Sequence, residues 1–384
     1  RGEAPLVAQA ALLPLPRSAA PAAPATPPPP AAMESTGERH QREVAELRKR
    51  HQRELKEIEE RHRRETRELQ ERHTRELGPV KRRRVPTPAT ENLRNPCIYV
   101  MGGKSGQVVF SQVDKLDPRT EEWSDVEAMG AKRGKCAAAV LGSYLYVLGG
   151  YDFRSAPTAS VERYDTRSAE WSKAPAMGTE RADFAAAALG GVLYAIGGLD
   201  EDGAELSAVE RFDPQKGAWA DAAPMRRSRC GHCAVALEEA VYALGGYDGS
   251  AVVPSVERLD VRTGMWSEVT PMATPRKEFA AAVLGGEIYV LGGHDDEANQ
   301  LETVERFDPG SGSWAKAPSM HTERSALAAV VLGGELYALG GLDGMYDKLA
   351  SVERFVPRAG AWVKAPAMET ARSDHAAAVL GDLC

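Results

Sequence analysis

The chain has 384 residues, of which 43% are hydrophobic and 27% charged, and no apolar run approaches the length needed to cross a bilayer, which argues against a helical membrane protein. Its net charge of −7 is divided unevenly, since residues 1–90 hold 19 Lys and Arg against 13 acidic residues and residues 91–384 hold 29 against 42. The acidic C-terminal body argues against direct nucleic-acid binding by that part, and five cysteines without paired spacing indicate a reducing compartment, hence a cytoplasmic location.

Residues 1–33 are rich in Ala and Pro and include an unbroken proline run at Pro27–Pro30. This composition forms neither a core nor a long helix, so we predict a disordered segment. Met33 is a candidate initiator, and the alternative is a segment missing upstream of Arg1.

Residues 34–78 carry an eleven-residue unit four times, beginning at Arg39, Arg50, Arg61 and Arg72. Eleven residues over three turns give about 3.67 residues per turn, so the repeat keeps one stripe on one side of a helix. We predict a long charged α-helix and leave two interpretations open. In one, copies associate along the thin aliphatic stripe into a coiled coil, which makes a homo-oligomer. In the other, the helix stands alone in solvent on Glu–Arg pairs.

Residues 79–95 are predicted to be a basic linker, because Gly78 and Pro79 end the helical pattern. The cluster Lys81–Arg84 lies between two prolines, Pro79 and Pro86. Such a cluster is typical of a nuclear-import signal, and a solvated linker is the alternative.

Residues 96–384 are dominated by a repeat of 47 or 48 residues that contains a Gly-Gly doublet and a Trp. The doublets begin at Gly102, Gly149, Gly197, Gly245, Gly292 and Gly340, and the tryptophans are Trp123, Trp171, Trp219, Trp266, Trp314 and Trp362. Each unit has four apolar runs of strand length separated by turn residues. Six four-stranded antiparallel sheets bury both faces when they stack around an axis, so we predict an all-β fold, a six-bladed propeller.

The two ends of the repeat array are unequal. No first strand precedes Cys97, whereas the segment His375–Leu380 follows the last Trp as an unmatched first strand. We therefore predict that the C-terminal strand completes the first blade and closes the ring.

The repeat resembles the kelch repeat. The resemblance rests on Ile98–Gly103, Leu145–Gly150, Leu193–Gly198 and their counterparts, followed by Val-Glu-Arg-aromatic-Asp and Trp, over about residues 96–381. It implies a non-enzymatic scaffold that binds a partner protein. Alternatives that it implies are substrate recognition for a cullin-type ubiquitin ligase, actin or cytoskeleton binding, and an enzyme on a kelch scaffold. The ligase adaptors carry a BTB domain ahead of the propeller, where this chain has the predicted helix.

All length variation among the repeats lies in the loop between the second and third strands, as expected where a rigid scaffold carries a variable binding surface. The resemblance also implies partner contacts directly after the doublet and directly after the first-strand Arg. The predicted partner-binding residues are Lys104, Tyr151, Tyr247, His294, Asp200, Glu201, Asp202, Asp295, Asp296, Glu297, Lys135, Asp183, Lys277, Ser325, Ser373 and Asp374. Two of these loops are acidic, which favours a partner with basic or mixed charge. The alternative is that the acids only keep the protein soluble.

Enzymatic sites find little support in the sequence. Cys230-Gly231-His232-Cys233 has the letters of a dithiol redox site, but it falls on a predicted strand instead of a helix N-terminus. The other cysteines have no zinc spacing, so we predict no catalytic residue, no metal and no cofactor.

Overall fold

A computed structural model describes residues 93–383, with side chains for residues 95–381. Within this range the chain forms 26 strands and no helix. The predicted fold class is corrected for this range: the described residues form an all-β propeller, and the long charged helix is not among their elements. The coiled-coil association that depends on that helix is not proposed further. Residues 34–78 lie outside the described range, as do residues 1–33 and Lys81–Arg84.

Six four-stranded antiparallel sheets, named blades 1 to 6, make up the described residues. Blade 1 contains β1 (Leu93–Met101), β4 (Val113–Asp117), β5 (Glu122–Val126) and the C-terminal β26 (Ala376–Leu383), with a small hairpin of β2 (Lys104–Ser105) and β3 (Val108–Val109) beside it. Blade 2 contains β6 (Ala137–Leu141), β7 (Tyr144–Leu148), β8 (Val161–Asp165) and β9 (Glu170–Ala174). Blade 3 contains β10 (Ala185–Leu189), β11 (Val192–Ile196), β12 (Val209–Asp213) and β13 (Ala218–Ala222).

The remaining blades follow the same plan. Blade 4 contains β14 (Cys233–Leu237), β15 (Ala240–Leu244), β16 (Val256–Asp260) and β17 (Met265–Val269). Blade 5 contains β18 (Ala280–Leu284), β19 (Glu287–Leu291), β20 (Val304–Asp308) and β21 (Ser313–Ala317). Blade 6 contains β22 (Ala328–Leu332), β23 (Glu335–Leu339), β24 (Val352–Val356) and β25 (Ala361–Ala365). The first strands β26, β6, β10, β14, β18 and β22 each contact the next around a closed ring.

The ring closes between the two ends of the repeat array, as the unequal ends predict. β26 pairs antiparallel with β1, with Tyr99 opposite Ala378 and Met101 opposite Ala376. Blade 1 therefore has the strand order β26-β1-β4-β5. Because β26 supplies one complete edge of the β1 hydrogen-bond ladder, the last strand of the chain holds the first blade in the ring.

The tryptophans tie neighbouring blades together. Each indole Nε1 donates to a backbone carbonyl of the preceding blade; Trp171, for example, donates to Glu127 O at 2.7 Å. Trp123 of blade 1 donates to Pro366 O at 2.9 Å and so spans the closure. The large ring and its single polar group explain why one Trp recurs in every blade.

Each blade also contains one buried ion pair near its second and third strands. The pairs are Arg133 with Glu162, Arg181 with Glu210, Arg229 with Glu257, Arg276 with Glu305, Arg324 with Glu353 and Arg372 with Asp114. All six arginines are 0% exposed. In blade 4, Nη2 of Arg229 lies 2.9 Å from Oε1 of Glu257, and Nη1 donates to Gly245 O at 2.8 Å. The arginine thus satisfies the carbonyl of the doublet as well as the carboxylate.

None of the described elements is an apolar helix long enough to cross a membrane.

Candidate functional site

One face of the propeller carries both the variable loops and the links that lead from each fourth strand to the next first strand. Single β-bridges join the two kinds of segment. They are Lys104 with Ser373, Tyr151 with Gly134, Leu199 with Ala182, Tyr247 with Cys230, His294 with Lys277 and Leu342 with Ser325. In each bridge, the residue directly after a doublet therefore pairs with the residue directly after the buried Arg of a neighbouring link. We call this surface the loop face.

The doublet makes these bridges sterically possible. Gly150 has φ of +91°, and a Cβ atom there would lie 2.7 Å from Gly134 O and 2.8 Å from Cys136 Cβ. Any side chain would collide with the neighbouring link, so only Gly permits the approach.

Six link residues form a closed ring of backbone hydrogen bonds at the centre of the loop face. They are Lys135, Asp183, Gly231, Glu278, Ala326 and Asp374, one from each link, and we call them the inner ring. The N–H group of each member donates to the carbonyl of the preceding member, and Lys135 N closes the ring by donating to Asp374 O, all at 2.7–3.0 Å. All six have φ between +49° and +58°. All six therefore share the left-handed backbone conformation.

The inner ring surrounds a pocket of about 90 Å³. The next residue of each link forms its wall, and these residues are Cys136, Phe184, His232, Phe279, Leu327 and His375. The pocket therefore has a charged rim and a largely apolar wall.

Lys135 crosses the pocket. Its Nζ lies 3.0 Å from Asp183 Oδ2 in the adjacent link and 2.6 Å from Glu278 Oε1. The links that lead into blades 2 and 5 are diametrically opposite in a six-bladed ring, so the Lys135–Glu278 pair spans the axis. Burial disfavours the charge on Lys135, but the surrounding carboxylates outweigh it and hold the pKa of Lys135 well above its usual value.

The acids of the inner ring have different environments. Burial raises the pKa of Asp183, and the Lys135 charge only partly offsets that effect. Burial also opposes ionisation of Glu278, yet hydrogen bonds from His294 and the Lys135 charge hold its pKa well below its usual value. The rim is thus an electrostatically connected unit and not a set of separate surface charges.

Sequence-predicted partner residues surround this rim. Lys104 Nζ lies 3.0 Å from Asp374 Oδ2, which also accepts a hydrogen bond from Ser373 Oγ at 3.1 Å. His294 Nε2 lies 3.3 Å from Glu278 Oε2. Ser373 is 0% exposed and Ser325 is 1% exposed, so both side chains lie beneath the surface.

Two further members of the predicted set lie beside the rim. Lys277 Nζ lies 5.0 Å from the centroid of the Tyr247 ring, within cation–π range. The half-buried Tyr151 lies close enough to Asp183 for burial, together with that carboxylate, to raise the pKa of its hydroxyl.

Sequence reasoning missed Glu278. The predicted set includes Lys135, Asp183 and Asp374, each two residues after the buried Arg of its link, but in the link to blade 5 it includes Lys277, one residue after Arg276. Applying the same offset to every link finds Glu278.

Half of the predicted acidic cluster acts within the loops themselves. Asp200 Oδ1 accepts from the backbone N–H groups of Asp202 at 3.0 Å and Ala204 at 2.8 Å. Asp295 caps its own loop in the same way. Asp296 Oδ1 accepts from Val252 N at 2.8 Å and so joins the loops of blades 5 and 4.

The other three predicted acids, Glu201, Asp202 and Glu297, are exposed side chains of the loop face. They are the members of the acidic cluster that remain available to a partner.

Exposed apolar side chains form a second feature that sequence reasoning missed. Val108, Phe153, Met345 and Tyr346 are 54%, 66%, 84% and 54% exposed. They lie in the variable loops of blades 1, 2 and 6, which are consecutive around the ring. We call these four residues the apolar sector. Large apolar residues within variable loops were the signal available in the sequence.

The Cys-Gly-His-Cys segment does not have the environment of a redox site. Cys233 begins strand β14, and burial raises the pKa of both Cys230 and Cys233 to about 12. A thiol that stays protonated at neutral pH is a poor nucleophile. Among residues 93–383, no cluster of three or more His, Cys, Asp or Glu side chains is arranged to hold a metal ion.

Comparison with known proteins is consistent with this geometry. A family model described as the KLHDC2/KLHL20/DRC7 Kelch-repeats domain matches residues 135–341 and, in an overlapping match, residues 183–383. A model described as the Kelch motif matches residues 94–130. A solved structure titled "Structure of YjhT" is similar with a TM-score of 0.58 and 15% identity, covering 73% of this chain and 98% of that chain. At that identity the likeness concerns the fold alone.

Proposed function

The chain belongs to the kelch-repeat family, and from that premise we propose that it is a non-enzymatic interaction scaffold whose loop face binds a partner protein. Kelch propellers generally bind other proteins. The variable loops, the central pocket and the apolar sector all lie on this one face.

The apolar sector is the observation that carries the proposal. Exposed aromatic and thioether side chains on three consecutive variable loops have the composition of interface anchors, and such side chains are uncommon on surfaces that face only water. Arg154 stacks on Phe153, with its guanidinium carbon 5.0 Å from the ring centroid, which favours a defined orientation of this anchor.

The charges of the same face suggest the character of the partner. Glu201, Asp202 and Glu297 are exposed on blades 3 and 5 beside the sector. A partner segment with apolar residues and basic or mixed charge complements this surface.

Substrate recognition for a cullin-type ubiquitin ligase is a second candidate, favoured by the kelch-like repeat pattern. Recovery of a cullin with the full chain tests it, and co-sedimentation with filamentous actin tests the cytoskeletal alternative. A cytoplasmic location, with nuclear import through Lys81–Arg84, stays a prediction. Imaging of the tagged chain, with and without substitution of this basic cluster, checks it.

Affinity capture with the full chain, followed by mass spectrometry and reconstitution with purified candidates, tests the main proposal. One variant replaces Phe153, Met345 and Tyr346 with Ser. The control replaces Met265 with Ser, since Met265 is 69% exposed but begins β17 at the opposite face. If the proposal is correct, the triple variant loses binding to a reconstituted partner and the Met265→Ser control keeps it. Equal binding by both variants would refute it.

A further inference from the structure

The buried ion pair of blade 1 differs from the other five. In blades 2 to 6 the carboxylate is a Glu on the third strand, whereas in blade 1 it is the shorter Asp114 on β4. Its partner Arg372 belongs to the link that leads into β26, so this pair lies where the two ends of the ring meet. We define the seam as the contacts that residues 369–380 make with β1 and β4.

The Glu carboxylates of blades 2 to 6 also clamp the backbone of their links. In blade 2, Glu162 accepts from Gly130 N at 2.6 Å and from Ala131 N at 3.1 Å. Blades 3 to 6 repeat this pair of hydrogen bonds. Two backbone N–H groups and one guanidinium thus fix each of these links to the third strand of its blade.

The link into β26 lacks this clamp. The equivalent N–H groups, three and two residues before Arg372, belong to Glu369 and Thr370. In the described part of the chain, Asp114 accepts only from the side chains of Gln112 and Arg372, so neither N–H group donates to it. The Asp side chain has one methylene fewer than Glu, and its oxygens therefore extend less far toward the link.

The guanidinium of Arg372 also makes fewer hydrogen bonds than its counterparts. Nη1 of Arg133 donates to Gly149 O and to Ser160 O, both at 2.9 Å. Blades 3 to 6 keep both bonds. Among the described residues, Nη1 of Arg372 donates to one carbonyl, Gly102 O, at 3.3 Å. The ion pair that crosses the seam is therefore supported by the fewest hydrogen bonds of the six.

The electrostatic environment of Asp114 weakens this pair further. Burial raises the pKa of Asp114, and the Arg372 charge only partly offsets that effect. The neighbouring carboxylates of Asp125 and Glu369 raise it as well. In blade 6 the corresponding Glu353 has a lowered pKa, because hydrogen bonds from its link outweigh burial. The closed seam thus disfavours the charge that Asp114 carries at neutral pH.

The strand pairing at the seam has no covalent turn to hold it. β26 and β1 make five consecutive pairs, from Cys97–Leu380 to Met101–Ala376, with two further pairs beyond a β-bulge. β6 and β7 of blade 2 also make five pairs, and a two-residue turn joins them. A short connection keeps separated strands close together, whereas β26 and β1 come from opposite ends of the repeat array.

We propose that the seam is where the propeller opens first, and that residues 369–380 detach from β1 and β4 while blades 2 to 6 keep their strand pairing. Opening breaks the bridge between Lys104 and Ser373 and removes Asp374 from the inner ring. The seam is thus a conformational device that couples ring closure to the shape of the loop face. This device does not depend on the proposed function.

Hydrogen exchange of the full chain, followed by mass spectrometry, tests the opening. The sequence Ala-Ala-Ala-Val-Leu occurs in β26 at Ala376–Leu380, in β6 at Ala137–Leu141 and in β18 at Ala280–Leu284, so intrinsic exchange rates are nearly the same. We expect these β26 amides to exchange several-fold faster than those of β6 and β18. Their opening should depend less on urea than global unfolding does, because it exposes less surface.

Two substitutions should hold the seam closed. Asp114→Glu restores the side-chain length of the other blades. Asp125→Lys places a base opposite the carboxylate, as in blades 2, 5 and 6. Each should slow exchange of β26 several-fold and leave β6 unchanged. Asp221→Lys makes the same charge change in blade 3, opposite a clamped Glu210, and should leave β26 unchanged.

The reverse change is Glu162→Asp in blade 2, which should speed exchange in residues 129–135 and leave β26 unchanged. Exchange of β26 no faster than that of β6 would overturn the inference. Failure of both Asp114→Glu and Asp125→Lys to slow exchange of β26 would also overturn it. Equal slowing by Asp221→Lys would do the same, because the effect would then come from net charge and not from the seam.

Discussion

Replacement of His232 and His375 by Phe is expected to make the propeller less sensitive to acid. Both imidazoles are buried in the pocket wall, and burial is the main cause that lowers the pKa of each from 6.5 to about 3. Phe184 and Phe279 occupy the same position in their own links, so Phe fits this register.

The direction of the pKa shift determines how the stability changes with pH. Each His has a lower pKa in the folded state than in the unfolded state, so the unfolded state binds more protons between pH 6.5 and pH 3. The contribution of each neutral imidazole to the free energy of unfolding is complete above pH 6.5 and is lost as the pH falls through this window. At pH 4.5 the loss is about 3 kcal/mol for each His, from two pH units below 6.5 at about 1.4 kcal/mol per unit.

The assay is urea unfolding of the wild type and the double variant from pH 8 to pH 4.5. Other titrating groups near these rings, including Asp183 with its raised pKa, are present in both proteins and cancel in the difference. The reverse change, Phe184→His, should add acid sensitivity of similar size. If the two proteins lose stability in parallel as the pH falls, the rings are not held neutral by burial and the reasoning is refuted.

Three further predictions concern the ring and its backbone. Deletion of residues 376–384 removes β26 and should abolish cooperative unfolding of the whole propeller, and an unchanged Tm in calorimetry would contradict closure by that strand. Gly150→Ala should cost more than about 2 kcal/mol of unfolding free energy because its Cβ meets backbone, whereas Gly142→Ala, with open space around it, should cost about 1 kcal/mol. Comparable denaturant midpoints for the two alanine variants would argue against the close approach. Arg229→Met should cost about 3–5 kcal/mol because it leaves a buried carboxylate unpaired, whereas Arg258→Met, which removes a partly exposed pair, should cost less than about 1 kcal/mol. Chemical denaturation measures this difference. Equal losses of unfolding free energy in the two variants would show that the Arg229 charge is not needed to compensate the buried Glu257 carboxylate.

Much of the loop face follows from register alone. The position after each doublet and the positions after each Arg recur at constant spacing, so the repeat pattern is enough to select Lys104, His294 and Asp374. The role of an individual side chain does not follow in this way. Asp200 and Glu201 are neighbours in an acidic loop, yet Asp200 caps the loop and Glu201 is exposed, because local backbone geometry decides which carboxylate meets the N–H groups.

The sequence by itself determined the number of blades, their order and the strand that closes the ring. Neighbouring repeats must stack to bury their apolar faces, and the unequal ends of the array leave one unmatched first strand for the first blade. The fold-class prediction was wrong in adding a long helix, because the described residues form strands alone. The residues that meet in the central pocket are determined only by the tertiary structure. Lys135 and Glu278 are 143 residues apart in the sequence and meet because two opposite links converge on one axis. A local sequence pattern does not predict such a contact.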